Sequence, residues 1–124
     1  MPFQIELNGS ILNIKLRGAV SAEDFLALAD EIGRLEVAIG YTPNRITDMS
    51  EIRELDLDFN RVNQFAKIRD EVVLSNPVRN AIYAPQDIQY GIARMFQMLI
   101  NNRAMNVGVF RFREEADRWV SSVS

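Results

Sequence analysis

The sequence contains neither cysteine nor histidine among its 124 residues. The lack of cysteine excludes disulfides, thiolate nucleophiles and thiolate metal sites. The lack of histidine excludes the most frequent general base, the Ser-His-Asp arrangement and nearly all zinc chemistry. Carboxylates, Lys, Tyr, Ser and Thr are the reactive groups that remain. We therefore expect a protein that is not an enzyme and that uses no cofactor or metal.

The chain also lacks clusters of positive charge and long apolar runs. Its net charge is -3, and Arg53, Arg61, Lys67 and Arg69 alternate with acidic residues, so no basic stripe exists to follow a nucleic-acid backbone. No window approaches the ~20 apolar residues of a membrane span, and the start "MPFQIELNGS" lacks a signal-peptide pattern. These features predict a cytoplasmic protein that binds no nucleic acid and has no transmembrane segment.

The N-terminal residues have the pattern of a β-hairpin. "FQIEL" and "SILNIKL" alternate apolar and polar residues, and Asn8-Gly9 lies between them. Asn-Gly favours a two-residue type I′ turn, because both positions need positive φ. We expect antiparallel strands at about residues 3–8 and 10–17, with the second strand ending at Gly18.

Helices and strands alternate through the rest of the chain. Ser21 and Asp24 form a capping pattern for a first helix that ends near Gly40. The later predicted elements are strand 44–49 ("NRITDM"), a helix capped by Asp58 that ends before Asn76, strand 78–84, helix 86–102, strand 106–112 and a short C-terminal helix. The order ββαβαβαβα, with about five strands and four helices, predicts a single α/β domain spanning residues 1–124 with a mostly parallel sheet.

Apolar spacing predicts which helix faces are buried. In the third helix, Gly91 is expected to permit close packing, and the buried set is Ile88, Ile92, Met95, Phe96 and Leu99, opposite Gln89, Arg94, Gln97 and Asn101. In the second helix, the buried set is Phe59, Val62, Phe65, Ala66, Val72 and Val73. In the last helix, it is Ala116, Trp119, Val120 and Val123.

Three stretches of the chain resemble a known family. They are "RITDMSEI", "YGIARMFQML" and "VGVFRFREEADRWV", and their order and spacing are similar to those of the SpoIIAA-like (anti-sigma-factor-antagonist-like) family, which is related to STAS domains. The resemblance covers nearly the whole chain. It implies a SpoIIAA-like domain of STAS type that acts as a regulatory or protein-interaction module.

The resemblance also permits a test for the phosphorylated serine of the antagonist STAS proteins. In those proteins the serine begins the helix that follows the third strand. Here that position falls in "ELDLDF", at Leu57 or Asp58, with no Ser or Thr nearby. Ser50 precedes it, in a loop after the short third strand. We therefore expect no phosphorylation switch at this helix start.

Two groups of polar residues are candidate sites. Asp48, Ser50 and Arg53 follow the third strand, at the sheet edge where ligands bind in open α/β folds. The alternative, which we favour, is that Asp48 and Ser50 only satisfy loop N–H groups. Tyr83, Tyr90 and Arg94 surround the start of the third helix and could hold an anion there, although Asp87 already supplies negative charge to that helix end.

Two functions remain open from the sequence. The first is protein interaction through the surface around the second and third helices, which includes Asp58, Arg61 and Lys67; the partner is another protein or a second copy of the chain. The alternative, which the resemblance implies, is binding of a small apolar or anionic ligand, because the SpoIIAA-like family is similar in architecture to CRAL-TRIO lipid carriers and some STAS domains are thought to bind nucleotides. The ligand alternative requires a cavity of at least ~300 Å³. The apolar residues that could line it, or simply fill the core, are Val62, Phe65, Met95, Phe96, Met98, Leu99 and Ile100.

Overall fold

The structure is a computed structural model that describes residues 2–71, 74 and 76–122. Its elements are β1 (Phe3–Asn8), β2 (Ile11–Ser21), α1 (Ala22–Ile39), β3 (Asn44–Asp56), α2 (Phe59–Glu71), β4 (Val78–Tyr83), α3 (Asp87–Leu99), β5 (Met105–Phe110) and α4 (Arg113–Ser121). The predicted order ββαβαβαβα and the α/β class are confirmed.

The strands form one sheet in the order β1-β2-β3-β4-β5. β1 and β2 are antiparallel, and the other neighbouring strands are parallel, as the sequence predicts. The turn differs from the predicted type I′, because Asn8 pairs with Ile11 and the two turn residues are therefore Gly9 and Ser10. Gly9 has φ 61°, and no residue other than glycine has positive φ in the described part of the chain. A glycine with positive φ at the first turn position is the requirement of a type II′ turn.

β2 and β3 are longer than predicted. β2 does not end at Gly18 but continues to Ser21, with register shifts between Lys15 and Arg17 and between Gly18 and Ala19. β3 continues past residue 49 to Asp56, so Ser50 lies within a strand and the predicted loop is wrong. The two extensions depend on each other, because the second half of β2 and the second half of β3 supply each other's backbone hydrogen-bond partners. β4 pairs with β3 only along residues 45–48.

The capping residues predicted for both ends of α1 and for the start of α2 are confirmed. Ser21 and Asp24 form a capping box at the start of α1, and Gly40 ends that helix in the left-handed conformation with φ 82°. Asp58 caps α2, because its Oδ1 accepts a hydrogen bond of 2.9 Å from the backbone N–H of Arg61. The predicted buried residues Val72 and Val73 lie outside the described residues.

Helices cover both faces of the sheet. α1, α2 and α3 pack on one face, where the main core includes Leu28, Ile32, Val62, Ala66 and Phe96. α4 lies on the other face over a smaller cluster of Ile46, Ala81, Ala116 and Val120. Trp119, predicted on the buried face of this helix, packs with its ring centroid 5.6 Å from that of Phe110. Val123 lies outside the described residues.

The predicted buried face of α3 is wrong in its first turns. Ile88 is 64% exposed, whereas Gln89, expected on the polar side, is fully buried. Gly91 is exposed and a methyl group there would meet nothing within 4 Å, so it serves no close packing. The reason is that the first turn of α3 lies beside the free edge of β3, where a side chain with amide hydrogen-bonding groups is needed. Met98 at the other end is 76% exposed.

Candidate functional site

A cavity of about 480 Å³ lies between α1, α2, α3 and the inner face of the sheet. Its volume falls within the ~300–1,000 Å³ typical of small-molecule sites. Val62, Phe65 and Phe96, which the sequence left as either cavity or core residues, line it. Met95, Leu99 and Ile100 pack against the core instead, and Met98 faces solvent.

The walls of the cavity are apolar because the helices turn their hydrophobic stripes toward the sheet. Phe65 of α2 is central to these walls, since its ring centroid lies 5.9 Å from Phe25 of α1 and 5.5 Å from Phe96 of α3. Ile14, Met49 and Ile82 add aliphatic surface from β2, β3 and β4. Apolar walls of this kind bind hydrocarbon or aromatic groups through the hydrophobic effect.

The sheet side of the cavity carries a polar floor, which we define as Arg45, Thr47 and Asn80. Arg45 and Asn80 are register partners on adjacent parallel strands, and Thr47 lies two residues beyond Arg45 on the same face. Thr47 Oγ1 donates a hydrogen bond of 2.9 Å to Asn80 Oδ1. Central parallel strands are usually apolar throughout, so a polar group of this size at the middle of the sheet is a distinctive feature.

Arg45 is held by a buried ion pair. Its side chain is 2% exposed, and its Nη2 lies 2.8 Å from Oε2 of Glu36, whose side chain is 12% exposed. Nε and Nη2 also donate to the carbonyl oxygen of Pro43, at 3.3 and 3.1 Å. The charge of the guanidinium is therefore neutralised within the protein, and the polar floor carries no excess charge.

The cavity opens between α1 and α2. The apolar residues at this opening are Leu26, 43% exposed, and Ile68, 44% exposed. Exposed side chains of Arg61 and Lys67 also line this opening. Arg61 Nη1 reaches across to Glu23 Oε1 on α1 at 3.4 Å. The pKa of Glu23 is lowered chiefly by a hydrogen bond from its own backbone N–H, and the Arg61 guanidinium acts in the same direction.

Asp48, Ser50 and Arg53, the first predicted site, do not reach the cavity. Asp48 Oδ1 accepts hydrogen bonds from the Ser50 backbone N–H at 2.9 Å and the Ser50 hydroxyl at 2.6 Å, while Oδ2 pairs with Arg113 of α4 at 3.2 Å. This places Asp48 on the α4 face of the sheet. The favoured alternative, that Asp48 and Ser50 satisfy loop N–H groups, agrees with this geometry only for Asp48, which accepts from one backbone N–H, and that N–H belongs to β3 rather than to a loop. Arg53 is exposed further along β3.

The residues predicted around the start of α3 are not assembled into one site. Tyr83 packs against the α4 cluster, whereas Tyr90 packs against the main core on the other face. The guanidinium of Arg111 lies 4.1 Å above the Tyr90 ring and 2.9 Å from Asp87. Arg94 donates a 2.6 Å hydrogen bond to Gln97. Among the predicted site residues, only Arg61 and Lys67 line the cavity.

Sequence reasoning missed the polar floor and Glu36. A signal was present in "RITD", where Arg45 and Thr47 alternate with Ile46 on a strand, which places both polar side chains on one face. The pattern did not show which face was inward, because the sheet has helices on both sides. Asn80, in "VRNAIY", has the same ambiguity.

Residues 2–71, 74 and 76–122 contain neither a metal-binding cluster nor a membrane-spanning helix. No group of three or more acidic side chains in this part of the chain is arranged to hold a metal ion. No helix in it combines the length and the hydropathy that crossing a bilayer requires.

Comparison with known proteins identifies the fold. The sequence matches no family profile and no curated protein. A solved structure with similar architecture is that of an uncharacterized protein of the DUF3478 family with a SpoIIAA-like fold, from Shewanella loihica PV-4. The TM-score is 0.58 at 18% sequence identity, with 95% of this chain and 91% of the other covered. This chain therefore has the SpoIIAA-like fold.

Proposed function

We propose that this chain is a non-enzymatic binding domain that holds a small, largely apolar molecule in the cavity beneath α1 and α2. The observation that supports the proposal is the cavity itself, whose volume of about 480 Å³ exceeds the ~300 Å³ that a ligand site requires. A cavity of this volume suits a small molecule with a hydrocarbon or aromatic part.

Ala29 and Ala27 provide a matched test of this proposal. Both are alanines of α1, but Ala29 lines the cavity whereas Ala27 is exposed and does not. Phenylalanine at position 29 fills part of the cavity and removes about two methylene contacts from the ligand. At about 0.8 kcal/mol each, that loss weakens binding roughly tenfold. The Ala27→Phe variant should bind as the wild type does.

The measurement is the fluorescence of N-phenyl-1-naphthylamine, an uncharged probe that becomes bright in apolar sites. We expect saturable binding at one site per chain for the wild type and for Ala27→Phe. Circular dichroism of both variants controls for folding. If the probe does not bind the wild type, or if both variants bind it equally well, the cavity is not the binding site.

A second candidate function is protein interaction at the cavity opening, which the resemblance to regulatory SpoIIAA-like and STAS proteins first suggested. The exposed pair Leu26 and Ile68, beside the cations Arg61 and Lys67, favours it. An apolar centre with a charged rim is the usual composition of a transient interface. Such a rim complements an acidic partner surface. The helix-start position that carries the switch serine in antagonist STAS proteins falls at Leu57 or Asp58 here, so this contact would operate without phosphorylation there.

Charge reversal tests this second candidate. The double variant Arg61→Glu and Lys67→Glu should lose any partner that the wild-type chain captures, because like charges then face each other across the interface. Arg34→Glu, on an exposed part of α1 outside the cavity lining, is the control and should retain the partner. Equal capture by all three proteins would remove this surface as the interface.

A further inference from the structure

The polar floor of the cavity has hydrogen-bond donors to which no described residue offers an acceptor. The side chain of Asn80 receives the Thr47 hydroxyl at its Oδ1, and no described residue accepts a hydrogen bond from its Nδ2. The guanidinium of Arg45 bonds through Nε and Nη2, and likewise no described residue accepts from Nη1.

Both nitrogens belong to residues that line the cavity, and neither is fully occluded. No occluded side-chain nitrogen or oxygen in the described part of the chain lacks a partner, so neither Nδ2 of Asn80 nor Nη1 of Arg45 is sealed in the core. A donor at such a cavity wall bonds to an acceptor that a ligand or a water molecule supplies. The complementary group on a ligand is therefore an oxygen that accepts hydrogen bonds.

The charge of that oxygen follows from the Arg45 ion pair. Glu36 neutralises the guanidinium at 2.8 Å, with both side chains almost fully removed from solvent. A carboxylate placed on the floor would lose its hydration without gaining an unpaired cation, which is strongly unfavourable. An uncharged carbonyl loses much less hydration and matches donors that carry no excess charge.

We propose that the ligand is an uncharged amphiphile whose carbonyl oxygen accepts hydrogen bonds from Asn80 Nδ2 and Arg45 Nη1, with its hydrocarbon part against the aromatic wall formed by Phe25, Phe65 and Phe96. This inference rests on the proposed function and adds the chemistry of the head group. Ketones, aldehydes and esters of medium chain length are the matching class. The Arg45–Glu36 pair acts as a positioning element, because it fixes the guanidinium while leaving one edge free.

Three ligands of similar size and one variant test the head group. The ligands are 2-octanone, its isostere 2-methyl-1-octene, in which a methylene replaces the carbonyl oxygen, and octanoate. The variant is the double substitution Thr47→Val and Asn80→Leu, which keeps the number and branching of the side-chain non-hydrogen atoms but removes the Asn80 donor and the hydroxyl that orients it. Affinities are measured by displacement of N-phenyl-1-naphthylamine at neutral pH.

We expect the double substitution to weaken 2-octanone binding by about tenfold, since one hydrogen bond to a buried donor is lost. The affinity for 2-methyl-1-octene should be unchanged or higher, and N-phenyl-1-naphthylamine should still bind, which shows that the variant is folded. In the wild type, 2-octanone should bind at least about tenfold tighter than octanoate.

The possible failures are distinguishable. If N-phenyl-1-naphthylamine does not bind the wild type, the proposed function itself fails. If the probe binds but the double substitution weakens the ketone and the alkene equally, the polar floor does not recognise the carbonyl. If octanoate binds the wild type more tightly than 2-octanone, the ligand is an anion, and the assignment of an uncharged head group is wrong. This last comparison needs no variant.

Discussion

Replacing Arg45 with methionine is expected to lower the free energy of unfolding by about 3–5 kcal/mol. The substitution removes one member of an ion pair whose side chains are 2% and 12% exposed, and it leaves the Glu36 carboxylate without its cation. Breaking a buried pair from one side costs roughly this much, because the remaining charge has lost its hydration and gains nothing in return. Urea unfolding followed by circular dichroism measures the change.

Two control variants separate this effect from loss of packing. Arg34→Met breaks the Asp30–Arg34 pair, whose side chains are 70% and 74% exposed, and it should cost less than about 0.5 kcal/mol. The double variant Arg45→Met and Glu36→Met should recover most of the loss, because no unpaired charge remains. If Arg45→Met lowers the free energy of unfolding as little as Arg34→Met does, Arg45 is not buried against Glu36. The conclusion that the polar floor carries no excess charge is then wrong.

Replacing Gln89 with leucine should have the next largest effect, a loss of about 2–3 kcal/mol. Gln89 is fully buried, and its Nε2 donates to the carbonyl oxygens of Ile52 at 2.9 Å and Ser50 at 3.4 Å. Its Oε1 accepts from the backbone N–H of Gln86 at 3.2 Å. Leucine has no amide, so the carbonyl oxygens of Ile52 and Ser50 lose this donor, and each unsatisfied buried group costs roughly 1–3 kcal/mol.

The reason for this dependence is the length of β3. β4 pairs with β3 only as far as Asp48, so the carbonyls of Ser50 and Ile52 face no strand on that side. Gln89 takes the place of the missing strand. Gln64→Leu, at an exposed position of α2, is the control and should change stability by less than about 0.5 kcal/mol. Equal stability of the two variants would show that Gln89 is not needed at this edge.

The sequence predicted the architecture well where the signals are local. The alternation in "FQIEL" and "SILNIKL", the Ser21 and Asp24 capping box and the Asp58 cap each depend on neighbours a few residues away. The end of β3 was predicted wrongly because its partner along residues 50–56 is the second half of β2, and long-range pairing overrides the charged composition of "SEIRELD".

The candidate site was less predictable, because it depends on which face of the sheet each residue occupies. Asp48 and Arg45 belong to the same strand, yet Asp48 binds Arg113 beneath α4 while Arg45 lines the cavity. Helices cover both faces, so apolar alternation does not tell these faces apart. The pairing of Glu36 with Arg45 joins a helix to a strand and leaves no pattern in the sequence. Gln89 was predicted on the polar face of the third helix for a related reason. Helical periodicity assigns faces by hydrophobicity, so a buried amide is assigned to the surface.

The most direct test of the cavity as a ligand site is an NMR titration of the ¹⁵N-labelled protein with 2-octanone. The account predicts saturable shifts of the Asn80 side-chain amide signals and of backbone signals along Phe25, Ala29, Phe65 and Ala93, which line the cavity. Signals of α4, on the opposite face of the sheet, should remain unchanged. No saturable shift up to the solubility limit of the ketone, or shifts confined to α4, would contradict the account.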